Sequence, residues 1–135
     1  MSTFSAEERA AIKALAAERK AVRNAAESEA ALVEAIDALE APDRDLARKV
    51  DAIVREVAPD LIGRTWYGMP AWARGGNTVV FFQSGIKFKT RYATLGFSEH
   101  AKLDDGDMWP NAYALVGVTP AVEARIRELV VRAVS

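Results

Sequence analysis

The feature that most constrains the fold of this chain is a long stretch without acidic residues. No Asp or Glu occurs between Leu61 and Phe97, although the chain has 19 acids among its 135 residues. The stretch also holds eight of the eleven aromatic residues and five cations, which are Arg64, Arg74, Lys87, Lys89 and Arg91. Aromatic side chains favour strands and dominate cores. We therefore expect this stretch to contain the folding core and any binding surface.

Strand and turn signals recur along the acid-free stretch. Arg74-Gly75-Gly76-Asn77 predicts a hairpin, because glycine accepts the positive φ of a tight turn. Gly68 and Pro70 predict a bend just before it. The β-prone runs are 65–67, 71–73, 78–82, 91–97 and 111–116.

Helix signals occupy the two ends of the chain. Ser5 and Glu8 have capping-box spacing and open a helix to about Val22, whose large apolar residues are few. A second helix is predicted over 28–40, with either a break at 24–28 or a continuous Ala-rich helix through it. Pro42 ends that helix or opens a third one, which carries an apolar face and stops at Pro59. Thr119 and Pro120 open the last helix as N-cap and first residue.

This order of helices, strands and a closing helix predicts one α+β domain. Its natural form is an antiparallel sheet of four to five strands with helices packed on one face. Residues 28–135 are predicted to form this domain, and residues 1–27 a helical extension.

Composition excludes several classes of function. The chain has no cysteine, so disulfides, thiol catalysis and thiolate metal sites are excluded. No apolar run approaches the roughly 20 residues of a membrane span, and the N-terminus lacks the apolar core of a secretory signal. A net charge of −1 gives no general attraction to nucleic acid or membranes. We expect a cytoplasmic protein without a membrane or nucleic-acid partner.

Three short motifs resemble those of a known family. They are Thr65-Trp66-Tyr67-Gly68-Met69-Pro70-Ala71, the run from Lys87 to Thr94, and Met108-Trp109-Pro110. Over about residues 28–134 the chain resembles the YdhG-like family of uncharacterised bacterial domains, in a branch with an N-terminal helix. The resemblance implies a sandwich similar in outline to frataxin. Most members have no assigned activity, and at least one has been described as an iron chaperone.

Iron is the one cofactor that this resemblance implies. Its ligands would be Glu34, Asp37 and Glu40, which step by three along the second predicted helix, so that neighbouring carboxylates approach each other. Hard cations prefer such oxygen ligands. The pattern departs from frataxin, because no acids follow on the first strands and cations interrupt the acidic cluster. The alternative is an ordinary solvated helix face.

Aromatic and cationic residues of the acid-free stretch form a second candidate site. In a strand, Lys87, Lys89 and Arg91 would share one face, and such a row binds phosphate or carboxylate groups. The alternative is a set of core aromatics beside a solvated strand face. The candidate ligand-binding residues are Trp66, Tyr67, Met69, Trp72, Lys87, Lys89, Arg91 and Tyr92.

No catalytic residues are predicted. His100 is the only histidine, and no nucleophile, Walker or dinucleotide motif is present. We expect a non-catalytic binding or carrier domain, with three hypotheses open. These are iron handling, binding of a small anionic or phosphate-bearing ligand, and interaction with a protein partner through the N-terminal helix.

Overall fold

The chain folds as an α+β protein with a five-stranded antiparallel sheet. The computed structural model describes residues 5–135, except for the side chains of residues 14, 15 and 17–22. The helices are α1 (Ala6–Asp37), α2 (Asp43–Val57), α3 (Gly85–Phe88) and α4 (Pro120–Ala133). The strands are β1 (Ile62–Trp66), β2 (Met69–Arg74), β3 (Asn77–Gln83), β4 (Ala93–Phe97) and β5 (Ala112–Leu115).

The five strands form a meander in chain order. The predicted hairpin joins β2 to β3, with Arg74 paired to Asn77 and positive φ at both Gly75 (57°) and Gly76 (83°). A second two-residue turn joins β1 to β2 through Tyr67 (φ 50°) and Gly68 (φ 77°). Positive φ at both central residues matches the strand twist, so both turns are of the type that favours tight hairpins.

The helices α1, α2 and α4 pack on one face of this sheet. Their buried residues form one core with the inward side chains of the strands, among them Trp72, Val80, Phe82, Leu95 and Phe97. Successive strand residues point to opposite faces. The larger side chains at the alternating positions are exposed or half-buried, among them Arg64, Trp66, Phe81 and Thr94, whereas the small Ala71 and Gly96 between them are buried. The predicted one-sided arrangement is therefore confirmed, and the opposite face of the sheet is open.

A single helix, α1, occupies the N-terminal region, so the continuous Ala-rich helix is the one of the two predicted arrangements that forms. Ser5 caps it by accepting a hydrogen bond from the Glu8 backbone N–H at 3.1 Å, as the capping-box spacing predicted. The helix continues through 24–28 without a break, so the predicted boundary at residues 27 and 28 lies inside it. From Ser5 to Asn24 every side chain that the structure describes is exposed.

The ends of α2 and α4 follow their local signals. Helix α2 begins directly after Pro42 and ends before Pro59, and Thr119 caps α4 by accepting from the Val122 N–H at 3.3 Å. The two helices are joined by Arg127, which donates to Glu56 at 2.7 Å. This hydrogen bond and the charge of the guanidinium hold the pKa of Glu56 below its ordinary value.

Helix α1 is bonded directly to the edge strand β1 at Gly63. The Gly63 N–H donates to Oε1 of Glu29 at 2.6 Å, and the Gly63 carbonyl accepts from Oγ of Ser28 at 2.7 Å. A Cβ at position 63 would collide with the Leu32 side chain, so only glycine allows this approach. Both outward backbone groups of Gly63 are therefore satisfied by the helix, which covers part of an otherwise open sheet edge.

The same Glu29 carboxylate begins a chain of polar contacts that reaches the core. Its Oε2 accepts from Arg55 at 2.5 Å, Arg55 also donates to Asp51 at 3.0 Å, and Asp51 accepts from Nε1 of Trp72 at 3.0 Å. Burial alone would lower the pKa of Arg55. The hydrogen bonds with Glu29 and Asp51 have the larger combined effect, so the pKa of Arg55 is raised above its ordinary value. The network joins α1, α2, β1 and β2.

Removing the Glu29 carboxylate should destabilise the whole domain. We expect Glu29→Ala to lower the free energy of unfolding by about 1–3 kcal/mol, because the buried Gly63 N–H and the Arg55 guanidinium lose their partner. Urea unfolding of both chains measures the difference. The control is Glu34→Ala, which removes an exposed carboxylate from the same helix. Equal stability of the two variants would contradict the role assigned to Glu29.

Candidate ligand-binding site

The structure separates the predicted aromatic residues onto opposite sides of the sheet. Trp72 is 1% exposed and packs under the helices, so it belongs to the core and not to a ligand-binding surface. Trp66 is half-buried on the open face, where its ring lies 5.3 Å from that of Phe81. Met69 is half-buried at the start of β2, beside the β1–β2 turn.

The prediction that Lys87, Lys89 and Arg91 share one face of a strand is wrong. Residues Gly85–Phe88 form the single helical turn α3, and Lys89 follows in the left-handed conformation with φ 59°. Strand β4 begins only at Ala93, so Lys87 lies in the helical turn, and Lys89 and Arg91 lie in the irregular residues between that turn and the strand. We refer to Ser84–Tyr92 as the cationic loop.

A buried carboxylate from α2 fixes the start of the cationic loop. Asp43 is 5% exposed, and its Oδ2 accepts from Oγ of Ser84 at 2.7 Å and from the Ile86 N–H at 3.0 Å. Ser84 in turn accepts from the Lys87 N–H at 3.1 Å. These contacts satisfy backbone donors that a single helical turn leaves without intrahelical partners. Asp43 therefore imposes the helical turn where a strand was predicted.

The end of the cationic loop folds back onto its beginning. The Thr90 N–H donates to the Gly85 carbonyl at 2.9 Å, and Oγ1 of Thr90 donates to the Tyr92 carbonyl at 2.9 Å. A Cβ at Gly85 would lie 2.6 Å from the Tyr92 carbonyl carbon and oxygen, closer than real Cβ contacts allow. This close return of the chain holds Lys87, Lys89 and Arg91 in one small region.

The cationic loop meets the β1–β2 turn at one end of the sheet. Nζ of Lys87 donates to the Gly68 carbonyl at 3.2 Å, next to Tyr67, whose side chain is largely exposed. Lys87 lies over the Phe88 ring at 5.6 Å, and Arg91 lies over the Tyr92 ring at 5.2 Å. These contacts form an exposed surface, the end patch, which consists of Tyr67, Lys87, Phe88, Lys89, Arg91 and Tyr92.

The end patch carries more positive than negative charge. Within residues 5–135, the ion pairs of the structure do not include Lys87, Lys89 or Arg91. A cavity of about 340 Å³ lies beside the patch, between the cationic loop and the end of α1, and Glu40 is the acid in its lining. Glu40 and the buried Asp43 are two carboxylates beside three cations, which leaves a net positive surface.

The three predicted iron ligands are not brought together. Asp37 accepts a hydrogen bond from Arg48 at 2.9 Å, and Glu34 and Glu40 are exposed. Among the residues that the structure describes, no group of three or more Asp, Glu or His side chains is close enough to hold a metal ion. Arg48, one of the cations that interrupt the acidic cluster in the sequence, is thus the partner of Asp37, the middle one of the three predicted ligands.

Comparison of the chain with protein-family models, with curated proteins and with solved structures finds no match. The resemblance to the YdhG-like family therefore rests on the three motifs and stays a prediction. No helix in the described part of the chain is long and apolar enough to cross a membrane.

Sequence reasoning missed Asp43 and Phe88 as parts of this site. Ser84 has the side chain of a helix N-cap and stands directly before a glycine, which was a local signal for the turn. Phe88 is 41% exposed because the helical turn directs it away from the core that a strand would have offered.

Loss of the Asp43 carboxylate should loosen the cationic loop. We expect Asp43→Ala to lower the free energy of unfolding by about 1–3 kcal/mol, because the Ser84 hydroxyl and the Ile86 N–H lose a buried acceptor. Thermal unfolding measures this change, and amide exchange at residues 85–90 locates it. Asp45→Ala is the control, since it removes an exposed acid from the same helical turn. Unchanged exchange in the loop of the Asp43 variant would show that another contact fixes it.

Proposed function

We propose that this protein is a non-catalytic binding module whose end patch takes a small anionic ligand with phosphate or carboxylate groups. The observation that carries the proposal is the grouping of Lys87, Lys89 and Arg91 on one short loop, without ion-pair partners among the described residues. Charge-assisted hydrogen bonds from lysine and arginine are the usual means of holding such groups.

The geometry of the loop supports anion binding over a purely solvated surface. Hydrogen bonds within the loop and to the buried Asp43 hold three like charges near each other, which costs electrostatic energy that a bound anion would relieve. The adjoining aromatic rings of Tyr67, Phe88 and Tyr92 offer exposed faces to an organic part of the ligand.

Exposure of the end patch sets the strength of binding. Lys87, Lys89 and Arg91 are all exposed to solvent, so their attraction to an anion is screened by salt. We therefore expect weak binding that becomes weaker as the salt concentration rises.

The two other hypotheses have less support from the geometry. For iron handling, which the resemblance implies, Asp37 is already bonded to Arg48. Selective broadening of the amide signals from Glu34 to Asp45 by ferrous iron would restore it. A protein partner on the N-terminal half of α1 would meet a surface on which Ile12 is the one large apolar residue among the described side chains of residues 5–24.

Pyrophosphate titration followed by amide NMR tests the proposal. We expect saturable shifts at Gly68 and across residues 85–92, and a loss of affinity of about tenfold when Lys89 and Arg91 are both changed to Ala, since two charge-assisted contacts are removed.

The control for this titration removes the same charge from another place. Lys102 and Arg132 are exposed cations at neighbouring positions, because the Lys102 N–H donates to the carbonyl of Ala133. Changing both to Ala should leave the affinity for pyrophosphate within about twofold of the wild-type value, because salt screens exposed charges that lie away from the bound anion. An equal loss in the two double variants would show that the anion responds only to net charge, and the proposal would fail.

A further inference from the structure

The open face of the sheet carries a groove that the end patch does not use. Its volume is about 510 Å³, within the range of small-molecule sites. The groove lies on the side opposite the helices, and its lining combines two half-buried aromatic residues and the buried Phe97 with several polar side chains. We refer to it as the sheet groove, and the lining residues used below are Arg64, Trp66, Asn77, Thr78, Phe81 and Asn111.

Strand register explains why the sheet groove has an aromatic wall. Arg64 pairs with Ala71, Ala71 with Phe81, Phe81 with Gly96, and Gly96 with Ala112, so these five residues form one row across the open face. The small members of the row leave space beside Phe81. A Cβ at Gly96 would collide with the Phe81 ring, so this ring lies directly over the glycine backbone.

The aromatic wall is completed by Trp66. Its ring lies 5.3 Å from that of Phe81 at an interplanar angle of 52°, and both residues are half-buried. Each therefore keeps part of its surface accessible on the open face. Aromatic rings held in this way on an uncovered sheet offer stacking surfaces for flat ligands, independent of the ligand's charge.

Polar groups surround this wall on several sides. Arg64 donates from NH1 to the Gly76 carbonyl at 3.0 Å and from Nε to the Thr65 carbonyl at 3.2 Å, which fixes its guanidinium beside the groove. Asn77 and Asn111 are exposed in the lining, and each amide offers both donors and an acceptor. Thr78 is 5% exposed, and its Oγ1 has no hydrogen-bond partner among the described residues.

We propose that the sheet groove binds a nucleobase or a heteroaromatic ring of the same kind, as a free base or nucleoside. The ring stacks on Trp66 and Phe81, and its edge bonds to the amides of Asn77 and Asn111, which match the mixed donors and acceptors of such rings. Glu99 also lines the groove and opposes the charge of Arg64, so an uncharged ring suits it better than a strongly anionic ligand. This inference is independent of anion binding at the end patch.

Adenosine titration monitored through the three tryptophan indole N–H signals tests the inference. We expect the Trp66 signal to shift saturably, whereas the signal of Trp72, which donates to Asp51 within the core, stays in place. Inorganic phosphate in a parallel titration should leave the side-chain amide signals of Asn77 and Asn111 unchanged, which separates this site from the end patch; Trp66 does not serve here, since its ring lies 4.9 Å from that of Tyr67. An unchanged Trp66 signal at saturating adenosine would overturn the inference.

Two variants locate the bound ring. Trp66→Leu should weaken adenosine binding by about tenfold, the effect of losing one stacking partner. Trp109→Leu, which removes a partly exposed tryptophan outside the groove lining and outside the end patch, should leave the affinity unchanged. If Trp66→Leu does not fold, Asn111→Ala decides, because it changes only an exposed side chain of the groove and should weaken binding several-fold. Wild-type affinity in a folded Trp66→Leu or Asn111→Ala chain would overturn the inference.

Discussion

The bonding of Gly63 to helix α1 is the constraint on which the rest of the structure depends. Glu29 and Ser28 satisfy both outward backbone groups of this edge residue, and Glu29 continues through Arg55 and Asp51 to the core residue Trp72. The network ties α1 and α2 to this edge of the sheet. The apolar side chains of one sheet face pack under the helices, so the molecule has one covered face and one open face.

This asymmetry places the two candidate surfaces. The end patch forms where the cationic loop, held by Asp43 of α2, reaches the β1–β2 turn through Lys87. The sheet groove forms on the open face, because no helix covers Trp66 and Phe81. The end patch lies within the acid-free stretch, and so does the aromatic wall of the sheet groove, whereas Glu99 and Asn111 of the groove lie beyond that stretch.

Elements set by local chemistry could be predicted from the sequence, and elements set by distant contacts could not. Gly75-Gly76 and Thr119-Pro120 encode their turn and helix start within a few residues, and both predictions are confirmed. The shared strand face expected of Lys87, Lys89 and Arg91 does not form, because Asp43, 41 positions before Ser84, imposes a helical turn. Trp66 and Trp72 could not be assigned to opposite faces, since alternation along a strand does not say which face the helices cover.

Hydrogen exchange at the Gly63 amide measures the bond from α1 to the sheet edge at a single site. If Glu29 accepts from this amide, its exchange is slowed to a rate close to that of Val80 in the central strand β3, although Gly63 lies in an edge strand. Thr65, an exposed residue two positions further along the same strand, exchanges fast and serves as the internal reference. Exchange at Gly63 as fast as at Thr65 would show that the helix does not hold the edge, and the role assigned to Glu29 would be contradicted.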